Sequence, residues 1–253
     1  MTDFLQFFRD SGLASLEWRS AVMLAVGLVF IYIAIGQKRE PYVLLPIGLG
    51  IIITNLPNTG MTDFLPHSPS DSGIFGIVLH YGLSMWNILP PIIFLGLGAM
   101  TDFGPVIANP KTLLLGAAAQ IGIFLAFWGA LTVHLIPGIV GFTVEEAAAI
   151  GIIGGADGPT TIFLSAKLAP HLLGITAVIA YSYMASVTFI QPPLMKLLTT
   201  EKERSIEMKP PRDVSQLEKL IFPPLAMLII ILVVPRSAPL ISMFMIGNMF
   251  RES

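Results

Sequence analysis

The stretch that decides the fold is GIIGGADGPTTIF, residues 151–163, which places one carboxylate, Asp157, inside an otherwise apolar run. Three glycines precede Asp157, a fourth follows it, and Pro159 comes next. We expect a helix to end at Gly154 and Gly155, because glycine tolerates the left-handed backbone that terminates helices. A second helix is expected to begin with Pro159 at its first position. The pattern therefore predicts two half-helices joined by a non-helical link that carries Asp157.

The first half-helix has a recognisable start, since Thr143 is followed three residues later by Glu146, the spacing of a capping box. A chain break in hydrocarbon is tolerated only where it lines a cavity or is buried in protein. Carbonyls freed at such a break, together with a carboxylate, are the oxygen ligands of Na⁺ or H⁺ sites in secondary transporters. The alternative is that Asp157 only caps the second half-helix at a membrane surface. The predicted ion ligands are Asp157, Gly154, Gly155 and Thr160.

The composition is that of a polytopic membrane protein. Of 253 residues, 54% are hydrophobic and only 12% are charged, whereas soluble domains carry about 25% charged residues. The net charge of −2 makes nucleic acid an unexpected partner. The absence of cysteine excludes disulfides, thiolate metal sites and cysteine nucleophiles.

Apolar runs and basic residues predict the spans and their orientation. The runs cover residues 20–36, 41–56, 73–100 (broken at Leu89–Pro91), 112–136, 172–195, 220–234 and 237–250. Six of the fourteen basic residues lie between Lys196 and Lys219, so the positive-inside rule places this stretch in the cytoplasm. The loop 57–72, which has no Lys or Arg, then faces outward. The number of membrane crossings agrees with this orientation if residues 144–169 enter the membrane and return as a re-entrant pair of half-helices.

This pattern predicts an all-α membrane protein with discontinuous helices and four regions. Residues 1–19 form an interfacial amphipathic helix or, as an alternative, a short soluble lead-in. Residues 20–195 form the transmembrane region with the ion site, 196–219 a charged cytoplasmic loop, and 220–253 further transmembrane segments.

Other polar residues in apolar surroundings are secondary candidates. Asp102, followed by a glycine and a proline, repeats the pattern of the opening motif, but Lys111 is near and interfacial capping is an equal alternative. Asn55 lies at a third polar break, where a simple loop start is at least as good an explanation. In the string YSYMASVTFIQPP, residues 181–193, a proton-relaying phenol and plain interhelical hydrogen bonding both remain open. The candidates in that string are Tyr183, Ser186 and Gln191.

Two long strings carry a family resemblance. GIIGGADGPTTIFLSAKLAPHLLGITAVIAYSYMASVTFIQPPLMKLLTTEKER (151–204) and GAMTDFGPVIANPKTLLLGAAAQIGIF (98–124) resemble the β subunit of the sodium-pumping biotin-dependent decarboxylases. That family includes the oxaloacetate, methylmalonyl-CoA, glutaconyl-CoA and malonate decarboxylase pumps, and the resemblance covers nearly all of the chain.

The resemblance implies a multi-pass subunit of the cell (inner) membrane that decarboxylates carboxybiotin, takes up a proton and exports Na⁺. The family's intramembrane aspartate matches Asp157, and its implicated tyrosine matches Tyr183; both are therefore implied as catalytic. Implied partners are a biotin-carrier and carboxyltransferase subunit that holds the carboxybiotin, a small γ-like membrane subunit, membrane lipids and further β subunits.

Family members are longer and carry a second transmembrane half. We therefore expect this chain to be the first half of a two-repeat transporter-like fold, truncated and inactive alone, because such a transporter needs both halves to enclose its site. The competing function is a Na⁺-coupled symporter or antiporter without enzymatic activity, which the broken helices and Asp157 would fit equally well.

Overall fold

The computed structural model describes residues 11–12, 14–38, 41–207 and 212–253. Within those ranges the regular structure is entirely helical. The helices are α1 (Trp18–Gly36), α2 (Pro41–Asn55), α3 (Ile74–Met85), α4 (Leu89–Met100), α5 (Gly104–Ala108), α6 (Leu113–Thr132), α7 (Val144–Gly151), α8 (Gly158–Leu168), α9 (Leu173–Leu198), α10 (Glu201–Arg204), α11 (Gln216–Val233) and α12 (Ala238–Glu252). The second part of α3, Val78–Met85, is wound as a π-helix.

The described residues form two compact units. One contains the chain up to Gly82 together with Tyr181–Leu197, and the other contains Leu83–Ala180 and Leu198–Ser253. The chain passes from one unit to the other within α9.

In the first unit, α1 and α2 pack through facing glycines. A Cβ on Gly27 would lie 2.9 Å from the carbonyl oxygen of Gly48, and one on Gly48 would lie 2.8 Å from the carbonyl oxygen of Gly27. Small residues of this kind let membrane helices approach closely. Ala34 and Leu44, each 1% exposed, form the small core of this pair.

In the second unit, α4 and α12 cross at still closer range. A Cβ on Gly98 would lie 1.8 Å from the carbonyl oxygen of Phe244, and one on Gly247 would lie 2.0 Å from that of Leu95. Beside this crossing, Nδ2 of the buried Asn248 donates to the carbonyl oxygens of Gly98 at 3.2 Å and Thr101 at 2.7 Å. The Gly98 carbonyl also accepts the Thr101 N–H at 3.1 Å, so Asn248 adds a second donor there and reaches the Thr101 carbonyl at the end of α4.

Three described helical stretches are long and apolar enough to cross a membrane, namely Trp18–Gly36, Pro110–Leu135 and Gln216–Val233. The broken pair Ile74–Met85 and Leu89–Met100 qualifies as a fourth when taken together. Large apolar side chains on these stretches remain exposed, for example Leu115 at 73%. The protein is therefore an all-α integral membrane protein, as its sequence predicts.

Most predicted runs correspond to helices, with differences that have local causes. The run 73–100 breaks at Trp86–Ile88 and not at the predicted Leu89–Pro91, because the two prolines occupy the first turn of α4, where a missing N–H costs nothing. The charged stretch 196–219 is not a simple loop, since its ends belong to α9 and α11 and it contains α10. The predicted interfacial helix, 1–19, falls mainly outside the described residues, and α1 begins at Trp18.

Candidate ion-binding site

The predicted chain break around Asp157 is present. Both bonds of the capping box form: the Glu146 N–H donates to the Thr143 hydroxyl at 3.2 Å, and the Thr143 N–H donates to the Glu146 carboxylate at 2.8 Å. Helix α7 then tightens into one 3₁₀ turn, Ile152–Gly155. The left-handed residue is Ala156, at φ 58°, so the expectation that a glycine takes this conformation was wrong.

The two glycines serve close packing instead. A Cβ on Gly154 would lie 2.4 Å from the carbonyl oxygen of Gly122 on α6, and a Cβ on Gly155 would lie 2.7 Å from Cδ1 of Ile123. In return, a Cβ on Gly122 would lie 2.6 Å from the carbonyl oxygen of Gly154. At Gly154 the 3₁₀ turn therefore lies directly against the backbone of α6, which leaves no room for a side chain, whereas at Gly155 the Ile123 side chain would have to move.

Asp157 is the N-cap of α8, which begins one residue before the expected Pro159. Its Oδ1 accepts the backbone N–H of Thr160 at 3.1 Å, and its Oδ2 accepts the Thr160 hydroxyl at 2.6 Å. The capping contact thus forms at the predicted chain break, and ion binding by Asp157 stays a prediction. Asp157 and Thr160 are both only half-buried, so the carboxylate keeps an accessible side on which a cation can bind.

Helices α7 and α8 form a hairpin in which the end of α8 lies beside the start of α7. Glu146, in the first turn of α7, and His171, just after α8, are in contact, with 2.7 Å between Oε1 and Nε2. Helices of 8 and 11 residues are each too short to cross a bilayer, which takes about 20 residues. Asp157 therefore lies at the tip of a re-entrant hairpin, as predicted.

A row of buried hydroxyls follows one face of α8 from the ion-site end. Thr161 donates to the Asp157 carbonyl oxygen at 2.7 Å, and Ser165 accepts the Thr176 hydroxyl at 2.9 Å. Thr161 and Ser165 are fully buried and Thr176 is 3% exposed. Thr161 and Ser165 share a helix face because they are four residues apart. The Thr161 bond stays within its own helix, so the Ser165–Thr176 bond is the one that joins α8 to α9. No spacing rule in the sequence points to these residues.

Asp102, another candidate in the unit that contains Asp157, belongs to a cluster of charged side chains at the ends of several helices. Oδ1 of Asp102 accepts the Gly104 N–H at 2.9 Å and lies 3.7 Å from Nζ of Lys219. Lys219 also lies 3.8 Å from Oε2 of the buried Glu252, and Arg251 donates to the Met100 carbonyl at 2.8 Å. The N–H of Gly104 and the cations nearby lower the pKa of Asp102 below its ordinary value. These contacts favour an interfacial role for Asp102.

The same contacts hold the C-terminal ends of α4 and α12 next to the N-terminal end of α11. The charge pattern predicts that those three ends lie on the cytoplasmic side, and this orientation stays a prediction. Lys219, Glu252 and Asn248 escaped the sequence analysis because their partners are distant in sequence.

The candidates of the other unit are described separately. Ser186 donates to the Ser182 carbonyl at 2.9 Å, within its own helix, and Gln191 is exposed. Nδ2 of Asn55 donates to the Ile51 carbonyl at 2.8 Å at the end of α2. The hydroxyl oxygen of Tyr183 is buried.

The Asp157 link offers oxygen donors of the kind that hard cations take. Among the described residues, no group of three or more His, Cys, Asp or Glu side chains could hold a metal ion. The Asp157 link offers one carboxylate, one hydroxyl and backbone carbonyls. A single negative charge with neutral oxygens matches the charge and hardness of Na⁺.

The comparisons with known proteins decide the family. Residues 19–253 match the family model described as Na⁺-transporting oxaloacetate decarboxylase beta subunit. The chain belongs to this family. It is 51% identical over 245 residues to the glutaconyl-CoA decarboxylase subunit beta of Acidaminococcus fermentans, covering 97% of this chain and 61% of the relative.

Two other relatives give the same result. The methylmalonyl-CoA decarboxylase subunit beta of Veillonella parvula is 52% identical over 244 residues, with 96% of this chain and 61% of the relative covered. The oxaloacetate decarboxylase beta chain of Klebsiella pneumoniae is 45% identical over 289 residues, with 96% and 66% covered. The chain thus spans about three fifths of the length of the first of these relatives.

Proposed function

We propose that this chain is the part of a Na⁺-translocating, biotin-dependent decarboxylase β subunit that carries its ion site. The observation that carries the proposal is Asp157 at the tip of a re-entrant hairpin, in a family whose relatives are named as decarboxylase beta subunits. A carboxylate at such a break is the arrangement that transporters use to bind a coupling ion.

Asp157 binds Na⁺ or a proton in competition, because either one compensates the same negative charge. Thr160 holds the carboxylate through two hydrogen bonds, at 3.1 and 2.6 Å, so its orientation is fixed before the ion arrives. Gly154 and Gly155 complete the link, their lack of side chains allowing it to lie against α6. Competition of this kind couples ion exchange to proton consumption.

The reaction is the decarboxylation of carboxybiotin, presented by a biotin-carrier and carboxyltransferase subunit. The N–CO₂⁻ bond breaks, CO₂ leaves, and the ureido nitrogen takes up one proton. Tyr183 relays that proton through its buried hydroxyl. Translocation follows because the inward- and outward-facing states bind Na⁺ with different affinities. A small γ-like subunit and further β copies complete the assembly.

A plain Na⁺-coupled symporter or antiporter is not favoured, because the similar proteins described above are all named as decarboxylase subunits. The test uses inverted membrane vesicles that contain the complete β subunit in its native complex. We expect substrate decarboxylation to drive ²²Na⁺ uptake, and avidin, which sequesters biotin, to stop both. Avidin-insensitive Na⁺ uptake would favour the symporter or antiporter and contradict the proposal.

A further inference from the structure

Asn87 lies at the second chain break of the protein, between α3 and α4. Its φ of 51° is left-handed, a conformation that asparagine tolerates better than most residues. Helix α4 follows with Pro90 and Pro91 in its first turn. Because proline has no N–H, α4 supplies no i+4 hydrogen bond to the carbonyl of Asn87.

The Asn87 amide is fixed in one orientation. Its Nδ2 donates to the carbonyl oxygen of Phe163 on α8 at 3.1 Å, and a flipped amide would set two carbonyl-type oxygens against each other. The Oδ1 atom is consequently directed away from Phe163. It is buried and has no hydrogen-bond partner among the residues that the structure describes.

A buried amide oxygen without a donor is unfavourable and rare in native proteins, so its presence requires an explanation. A bound cation would explain the buried Asn87 oxygen, because neutral amide and backbone carbonyl oxygens are good ligands for a hard ion. The break carries two such oxygens on one residue, Oδ1 and the backbone carbonyl of Asn87.

We propose that Asn87 Oδ1 is a ligand of a Na⁺ ion bound at the chain break 86–88. This position is separate from the Asp157 link: Phe163, which Asn87 contacts, is six residues further along α8, which corresponds to about 9 Å of helix rise. Both sites are thus attached to α8, one at its start and one in its middle. Only the identity of the cation rests on the proposed function.

Two Asn87 variants test the proposal in the complete β subunit within its native complex. Asn87→Gly removes the oxygen without straining a left-handed backbone. Asn87→Asp keeps the side-chain length but adds a charge. The matched controls are Asn58→Gly and Asn58→Asp, because Asn58 is also left-handed, at φ 61°, but lies exposed in a loop. The measurements are the Na⁺ concentration for half-maximal decarboxylation and the rise in thermal stability on replacing choline chloride by NaCl.

For Asn87→Gly we expect the half-saturating Na⁺ concentration to rise about tenfold or more, the order seen when support is removed from a metal site. Asn87→Asp should show a larger Na⁺-dependent gain in thermal stability than wild type. Both Asn58 controls should behave as wild type.

An Asn87→Gly variant whose stability falls equally in Na⁺ and choline, with an unchanged half-saturating Na⁺ concentration, would overturn the proposal and leave Asn87 as a tether of α8. An Asn87→Asp variant with the Na⁺ response of its Asn58 control would overturn it as well. Asp157→Asn distinguishes failure of the proposed function from failure of the Asn87 proposal. If the proposed function is wrong, Asp157→Asn leaves the Na⁺ dependence intact, whatever the Asn87 variants show.

Discussion

Glu146 and His171, 25 residues apart in sequence, meet with 2.7 Å between Oε1 and Nε2. This contact closes the open end of the α7–α8 hairpin, while Asp157 caps α8 at its tip. A chain that enters and leaves at the same level can present a polar tip inside the membrane without crossing it.

The hairpin predicts that both of its ends are reached from the same side of the membrane. This sequence of 253 residues has no cysteine, so Glu146→Cys and His171→Cys each place one thiol in it. We expect a membrane-impermeant maleimide to label both in intact cells, because the orientation places the open end outside. Lys202→Cys, on the exposed helix α10, is the control and should be labelled only in inverted vesicles. Labelling of Glu146→Cys and His171→Cys from opposite sides would show that the segment crosses.

The crossing of α4 and α12 predicts that Gly98→Ala is severely destabilising. The new Cβ would lie 1.8 Å from the Phe244 carbonyl oxygen, so the helices must separate, and overpacking of this kind costs about 1–3 kcal/mol or more. Gly96→Ala, on the same helix with open space around it, should be neutral or slightly stabilising, since alanine favours helix. Thermal unfolding in detergent measures both. Equal stability of the two variants would contradict this crossing.

The Asp102 carboxylate predicts an acid-sensitive contribution to stability. Its pKa is lowered from 3.8, chiefly by the Gly104 N–H, and also by Lys219 and Arg251. Because the folded pKa lies below the unfolded one, the contribution is present above about pH 4 and is lost as the pH falls through the folded pKa. Asp102→Asn should therefore lower the melting temperature at pH 7 and flatten its decline below pH 4. Asp213→Asn, exposed on the charged stretch, serves as control, and an unchanged pH profile in Asp102→Asn would refute the contact.

Tyr183→Phe tests the proton relay. Because the hydroxyl acts on the chemical step, we expect turnover at saturating Na⁺ to fall about tenfold or more, while the half-saturating Na⁺ concentration changes less. Tyr32→Phe, on α1 with the tyrosine 65% exposed, is the matched control. A wild-type rate in Tyr183→Phe would reduce Tyr183 to a packing residue.

Local signals made much of this fold predictable. The capping box at Thr143 and Glu146 and the helix-terminating sequence before Asp157 act over a few residues, so the hairpin could be inferred from sequence alone. The prolines at Leu89–Pro91 were ambiguous, because proline both breaks a helix and begins one, and the break accordingly lies three residues earlier.

What could not be predicted depends on packing between distant segments. Ala156, and not Gly154 or Gly155, takes the left-handed conformation, while Gly154 lies against Gly122 of α6. Asn87, Asn248 and Glu252 gain their contacts from helices far away in sequence, and no spacing rule connects them with those partners.

The most direct test of the account is Na⁺-dependent decarboxylation by Asp157→Asn in the purified native complex of the full-length β subunit. Asparagine is as good an N-cap as aspartate, so α8 should still form while the negative charge is lost. Asp71→Asn, in an exposed loop, controls for the same change elsewhere. We predict that Asp157→Asn folds and assembles but loses Na⁺-stimulated turnover and ²²Na⁺ transport. Wild-type turnover with unchanged Na⁺ dependence in Asp157→Asn would contradict the assignment of the ion site.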